Sequence, residues 1–221
     1  MGGDALYTVL WSERVVRWPK LSDDRPAAQW LTEQLTAGGL PIGGDPAGGS
    51  VATTWFGLPA TARVLDEDLA DPWLDYLVYR VLVIEVDKAT ALARAKTAKE
   101  GRQFQWRAAM ALRDLCDTLD PPLAFVRRDP VDDIATFVKD LWPALIRRGN
   151  AVELSTLDFP LWYVQNRFAD EIPPVLGMKN LSRVLPSQRG VFMLTGQLID
   201  DWMLGSIDDW MPIIDDTYYD P

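Results

Sequence analysis

The residues best suited to chemistry lie at the C-terminal end of this 221-residue chain. Ile-Asp-Asp-Trp occupies residues 199–202, recurs at 207–210, and returns without its Trp as Ile-Asp-Asp at 214–216. Carboxylate pairs beside indole rings suit protein binding, because Trp supplies buried contact area and Asp pairs with Lys or Arg on a partner. The candidate partner-binding residues are therefore Asp200, Asp201, Trp202, Asp208, Asp209, Trp210, Asp215 and Asp216.

The Asp pairs also permit three other interpretations. A Mg²⁺ or Ca²⁺ site needs only oxygen ligands, but the turn glycine and closing glutamate of the EF-hand pattern are absent. Two carboxylates could serve as the acid and base of a glycosidase, although adjacent Asp side chains point in different directions in most backbones. The third alternative is a solvated acidic tail whose Trp residues pack back on the domain. We expect no metal, no cofactor and no enzymatic activity.

The net charge is concentrated in the same part of the chain. The sequence has 22 Lys and Arg against 32 Asp and Glu, a formal net charge of −10, and its last 32 residues hold seven Asp and no Lys or Arg. This acidity argues against nucleic acid as a partner and favours a protein with a basic surface. The absence of His excludes Ser-His and Cys-His nucleophiles and His-ligated metal sites.

Three further features have structural explanations. The Gly-rich segment 38–50 lacks the Gly-x-Gly-x-x-Gly and P-loop patterns, which favours a flexible loop over a phosphate site. Cys116 has no His to act as its base and is expected to be a small buried residue. The basic pairs at 127–128 and 147–148 are expected to form ordinary surface ion pairs.

The elements that position these residues are predicted from hydrophobic patterns. Runs rich in β-branched and aromatic residues predict strands at 6–18, 51–58, 61–65, 76–86, 123–126, 161–164 and 191–194. Arg14 and Arg17 favour an edge or bent position for the first strand, and the acidic residues 66–73 are expected to end the third. The apolar run 76–86 is typical of an interior strand that is covered on both faces.

Helical patterns alternate with these strands without a fixed order. They predict helices at 26–36, 87–119, 129–148 and 166–172. Gly101 is expected to bend or split the second helix. Because there is no strict βα alternation and no repeat, we predict a single α+β domain over 1–221, with a mixed or antiparallel sheet packed with several helices. It carries the flexible Gly-rich loop near 38–50 and the acidic, Trp-rich segment 199–221.

The expected localisation depends on two sequence signals, a secretory leader and a membrane-spanning stretch. No basic, apolar leader is evident at the N-terminus, and the longest apolar stretch falls short of the roughly 20 residues that span a bilayer. Cys116 is the only cysteine, so no intramolecular disulfide can form. We therefore expect a cytoplasmic protein without a membrane partner.

The C-terminal part of the chain resembles a known family. Residues 161–172 resemble a strand that enters a short helix, and residues 190–195 resemble a glycine-led strand. This order is similar to the C-terminal half of bacterial immunity proteins that neutralise polymorphic or contact-dependent toxins, in particular immunity protein family fifty-two. The positions that carry the resemblance are Tyr163, Val164, Arg167, Ala169, Gly190 and Met193. Gln165-Asn166 replaces a small hydroxyl residue, and Arg189-Gly190 replaces a doubled glycine.

The resemblance implies a binding protein with no catalysis of its own, which blocks a cognate toxin by occupying its active site or substrate surface. An acidic face opposite a basic cleft would also give fast association. The alternative is a phage or mobile-element protein, inhibitory or structural, that acts by protein–protein interaction. A weaker alternative is an Asp-based, metal-dependent enzyme.

Overall fold

The computed structural model describes residues 5–15, 26–71, 74–127, 161–166 and 183–194. In these ranges the chain forms an eight-stranded antiparallel sheet and three α-helices, which confirms the predicted α+β class. The strands are β1 (Ala5–Val15), β2 (Ser50–Trp55), β3 (Leu58–Asp71), β4 (Leu74–Asp87), β5 (Leu123–Arg127), β6 (Leu161–Gln165), β7 (Arg183–Pro186) and β8 (Gly190–Leu194). The helices are α1 (Ala27–Ala37), α2 (Lys88–Leu92) and α3 (Ala98–Leu119). The predicted helix 129–148 and nearly all of 166–172 lie outside the described residues.

The strand order across the sheet is β2-β3-β4-β1-β5-β6-β8-β7. Of the edge or bent position predicted for β1, the edge alternative is wrong, because β1 lies between β4 and β5. The two neighbours differ in extent: β4 pairs with all of β1, whereas β5 pairs only with residues 7–10. Arg14 therefore lies in the part of β1 that has a described partner strand on one side only.

The hairpin of β3 and β4 is longer than the sequence pattern predicts. Acidic residues were expected to end β3 near Asp66, but the strand continues to Asp71. The residues from Asp66 to Leu69 pair in register with the β4 residues from Arg80 back to Leu77. This pairing with a strongly β-forming strand outweighs the low strand propensity of Asp. The prediction that β4 is interior is confirmed.

One face of the sheet packs against the helices. Alternate strand residues turn inward to this core, among them Leu82 and Ile84 of β4 and Tyr163 of β6. They meet Leu31 and Leu35 of α1 and the apolar stripe of α3, which includes Leu112. At the turn between β2 and β3, the ring of Phe56 packs edge-on against Phe104 of α3, with 5.2 Å between centroids. The tight turn at Phe56 and Gly57, both with positive φ, aims this ring at the helix.

The opposite face is also buried along the central strands. Val9, Val83, Phe125, Trp162 and Val164 alternate with the residues that face the helices, and each is at most 2% exposed. The prediction of strands covered on both faces is therefore confirmed for β4 and extends to β1, β5 and β6.

The predicted helix 87–119 is divided, but not at Gly101. The break falls between α2 and α3, and Gly101 is buried inside α3. Thr97 and Glu100 form a capping box: the Thr97 Oγ1 accepts from the Glu100 N–H, and the Glu100 carboxylate accepts from the Thr97 N–H at 3.0 Å. Two satisfied N–H groups decide where the helix begins, whereas a single glycine is tolerated within it.

The Gly-rich segment is hydrogen-bonded to its surroundings at several points. Gly43 bridges to Ala52 of β2 at 2.8 Å, and a single 3-10 turn covers Pro46–Gly48. The Thr53 hydroxyl donates to the Pro41 carbonyl at 2.6 Å. The segment therefore follows the edge strand β2, and its predicted flexibility stays a prediction.

Candidate functional site

The predicted partner-binding residues fall outside the described part of the chain. They are Asp200, Asp201, Trp202, Asp208, Asp209, Trp210, Asp215 and Asp216. Their role therefore stays a prediction. The described residues do show how charge is distributed between the sheet and the helices.

The β3–β4 hairpin is strongly acidic. Residues 64–87 contain seven Asp and Glu against the single basic residue Arg80. β2 pairs with β3 only as far as Arg63, so no described strand covers the outer edge of β3 from Leu65 to Asp71. Acidic residues on an open edge discourage pairing with a further strand. In the sequence, these acidic residues predicted only the end of a strand, and no local pattern indicates the sheet edge along which they lie.

The single basic residue of this hairpin is buried. Arg80 is 3% exposed, and its guanidinium carbon lies 5.7 Å from the centroid of the Trp30 ring on α1. By register it faces Asp66 across the hairpin. A guanidinium stacked on an indole supplies a cation–π contact within the core, so this residue is structural.

The helical layer carries the opposite charge. Residues 88–113 contain seven Lys and Arg and one acidic residue. Five of these side chains are exposed, and we call them the basic face: Arg94, Lys96, Lys99, Arg102 and Arg107. None of the five forms an ion pair with another described residue. The half-buried side chains of Trp106 and Met110 lie on the same side of α3.

A polar cluster connects the end of α3 to the turn between β7 and β8. One Asp117 carboxylate oxygen accepts from the Ser187 hydroxyl and from the backbone N–H groups of Gln188 (2.9 Å) and Arg189 (3.2 Å). The Arg189 guanidinium donates to Asp120 at 3.3 Å. One oxygen of each carboxylate thus accepts from the β7–β8 turn, whereas Oδ1 of Asp120 is buried and meets no described donor. The cluster joins the end of α3 to this turn.

Tyr163 and Gly190 meet next to this cluster. A Cβ atom added at Gly190 would lie 2.5 Å from Cζ of the Tyr163 ring, closer than side-chain atoms approach. Tyr163 is 0% exposed, and no described group meets hydrogen-bond geometry with its hydroxyl. The two residues also belong to the set that carries the family resemblance, and here they are in contact.

Burial raises the pKa of two acids beside the cluster. Burial raises the pKa of the Cys116 thiol well above its ordinary value, and Asp117 adds to the shift. Burial also raises the pKa of Tyr163; Cys116, Asp120 and Asp117 add to it, and the nearby Ser187 hydroxyl offsets only a part. Cys116 is buried, as predicted, and its thiol lacks the thiolate character that a nucleophile needs.

Stability should therefore fall at alkaline pH. The folded state keeps Cys116 and Tyr163 protonated, whereas the unfolded state releases these protons around their ordinary pKa values of 9.0 and 10.0 respectively. Each group contributes a slope of up to about 1.4 kcal/mol per pH unit above its unfolded pKa. Urea unfolding between pH 7 and pH 10.5 measures this slope. In the Cys116→Ala variant, the free energy of unfolding should begin to fall at a higher pH than in the parent. Identical pH dependence in the two proteins would contradict the assignment.

The described residues provide no group of three metal-binding side chains, and none of the described helices is long and apolar enough to cross a membrane. Comparison with known proteins identified no matching family model, curated protein or solved structure.

Proposed function

We propose that this protein acts by binding another protein, as a cytoplasmic immunity protein that neutralises a cognate bacterial toxin. The observation that carries the proposal is the repeated Ile-Asp-Asp-Trp segment, in a stretch of 32 residues with seven Asp and no basic residue. Trp supplies buried anchor area and Asp supplies steering toward a basic surface. The partner is expected to present Lys and Arg around its active site or substrate surface.

The described polar groups support binding over catalysis. The carboxylates of Asp117 and Asp120 are held by Ser187, Gln188 and Arg189, and the Cys116 thiol is buried and protonated. The five side chains of the basic face are exposed, so a partner can reach them. Among the described residues, these features favour binding over reaction.

Co-expression with the product of the adjoining reading frame tests this function. Cells that make that product should stop growing, and growth should return only when this chain is made with it. The two purified proteins should then form a complex of fixed stoichiometry that weakens as salt is added. No complex, together with concentration-dependent self-assembly of this chain alone, would favour the phage or mobile-element alternative.

A further inference from the structure

We propose that the acidic C-terminal segment, residues 199–221, docks on the basic face of the same chain. The basic face comprises exposed Arg94, Lys96, Lys99, Arg102 and Arg107, on α3 and the loop before it. The chain has a net charge of −10, but this helical region is positively charged and so complements the seven Asp of the segment. Trp106 and Met110 add half-buried apolar surface on the same side of α3, which suits the Trp residues of the segment.

The sheet register brings the start of the segment close to α3. Leu194, the last residue of β8, pairs with Leu161, and the ladder continues through Val126 and Thr8 to Ile84 of β4. That level is three residues before the end of β4, where α2 and then α3 begin. α3 also crosses to β6 and β8, which it contacts directly. The chain therefore leaves β8 at the same end of the strands as the end of β4 that leads into α2 and α3.

The distances allow the first Asp pair to reach the helix. β8 and β4 are four strand spacings apart, about 19 Å at about 4.8 Å per strand. The six residue steps from Leu194 to Asp200 span up to about 20 Å when extended, which is enough to cross this gap. α3 itself is about 33 Å long, so a segment of 23 residues can follow its exposed side.

Several weak ion pairs act together in this arrangement. A single exposed pair contributes little, because water and salt screen it. Covalent attachment makes the association intramolecular, with an effective concentration in the millimolar range for a short linker. No described residue pairs with the five basic side chains, which leaves them available to the segment. Charge and attachment together favour the segment of the same chain over one from a second copy.

Docking would place the basic face in competition with the partner. The same Asp residues cannot pair at once with α3 and with a toxin, so the partner displaces the segment from the helix; this consequence rests on the proposed function. Docking itself does not require a partner, and its test uses the protein alone.

Carbodiimide cross-linking of the full-length protein tests the contact. This reagent joins a Lys amine to a carboxylate only where the two touch, and Lys96 and Lys99 lie in the basic face. Trypsin leaves residues 190–221 as one peptide because they contain no Lys or Arg, which simplifies its detection by mass spectrometry. We expect Lys96 or Lys99 joined to this peptide in the monomer band, with at least a five-fold lower yield in 0.5 M salt. Its absence, or its presence only in a dimer band, would overturn the proposal.

A matched pair of variants gives an independent readout. The triple variant Lys99→Gln, Arg102→Gln, Arg107→Gln removes three positive charges from the basic face. The control Thr36→Glu, Ala52→Glu, Thr118→Glu makes the same change in net charge at exposed positions outside it. Chymotrypsin should cut at Trp202 and Trp210 about ten-fold faster in the first variant and at the parental rate in the control. Equal cutting rates in the two variants would overturn the proposal, and unchanged unfolding midpoints show that both are folded.

Discussion

Replacing four Asp residues of the C-terminal repeats by Asn is expected to slow association with the proposed toxin partner by about 100-fold at low salt. The residues are Asp200, Asp201, Asp208 and Asp209. Attraction between a net charge of −10 and a basic surface raises the rate of encounter, and here seven of these charges are supplied by the last 32 residues. The dissociation rate should change much less, because steering acts before contact is made. Stopped-flow mixing across a salt series measures both rates.

The acidic hairpin provides the matched control for this experiment. Asp66→Asn, Glu67→Gln, Asp68→Asn and Asp71→Asn remove the same four charges from the edge of β3. If the C-terminal repeat is the contact surface, the hairpin variant should slow association only a few-fold, as a long-range effect of net charge. The reverse order would move the binding site to the hairpin and would leave the proposed function intact. Trp202→Ala and Trp210→Ala should instead raise the dissociation rate.

Tyr163→Ala is expected to lower the free energy of unfolding by about 3–5 kcal/mol, in the range measured for removal of a buried aromatic ring. Tyr163 is 0% exposed and lies between α3 and the sheet, beside Phe192 of β8. Its loss would leave a cavity under the end of α3, where Asp117 joins the helix to the β7–β8 turn. Urea unfolding followed by Trp fluorescence measures the change.

Gly190→Ala completes a double-mutant cycle with this change. The added methyl group would collide with the Tyr163 ring, so the single variant should lose about 1–3 kcal/mol. In the Tyr163→Ala background the ring is gone, and the loss should be smaller although contact with the Val164 carbonyl persists. Gly48→Ala is the control, because nothing lies within 4 Å of a Cβ atom there. Strict additivity of the two changes would show that the ring does not require the glycine.

The polar groups near Tyr163 illustrate the difference between a polar cluster that joins two elements and a catalytic site. Cys116, Asp117 and Asp120 lie together at the end of α3, which in a sequence invites a catalytic interpretation. In the fold, burial keeps the thiol protonated, and the carboxylates accept from the β7–β8 turn. The described contacts of this cluster are therefore those of a structural junction between α3 and the β7–β8 turn.

The helices and strands that the sequence predicted are those with a strong local signal. The apolar runs of β4 and β6 and the periodic stripe of α3 each depend on neighbours a few residues away, so a linear pattern is enough to find them. The same holds for the burial of Cys116, which follows from the lack of any group that could activate it. The α+β class also follows from the mixture of short strands and long helices, whereas the choice between a mixed and an antiparallel sheet was left open by the sequence.

The sequence by itself determined the chemistry that this protein lacks and the place where its negative charge collects: no His, one Cys, and an acidic repeat beside Trp. The tertiary structure alone decided that β1 is interior, that β3 continues past Asp66, and that Gly190 accommodates Tyr163. Each of these depends on pairing between residues distant in sequence, whose energy outweighs local propensity. The acidic β3–β4 hairpin and the basic face lie on different elements for the same reason, since only the fold places one in the sheet and the other in the helical layer.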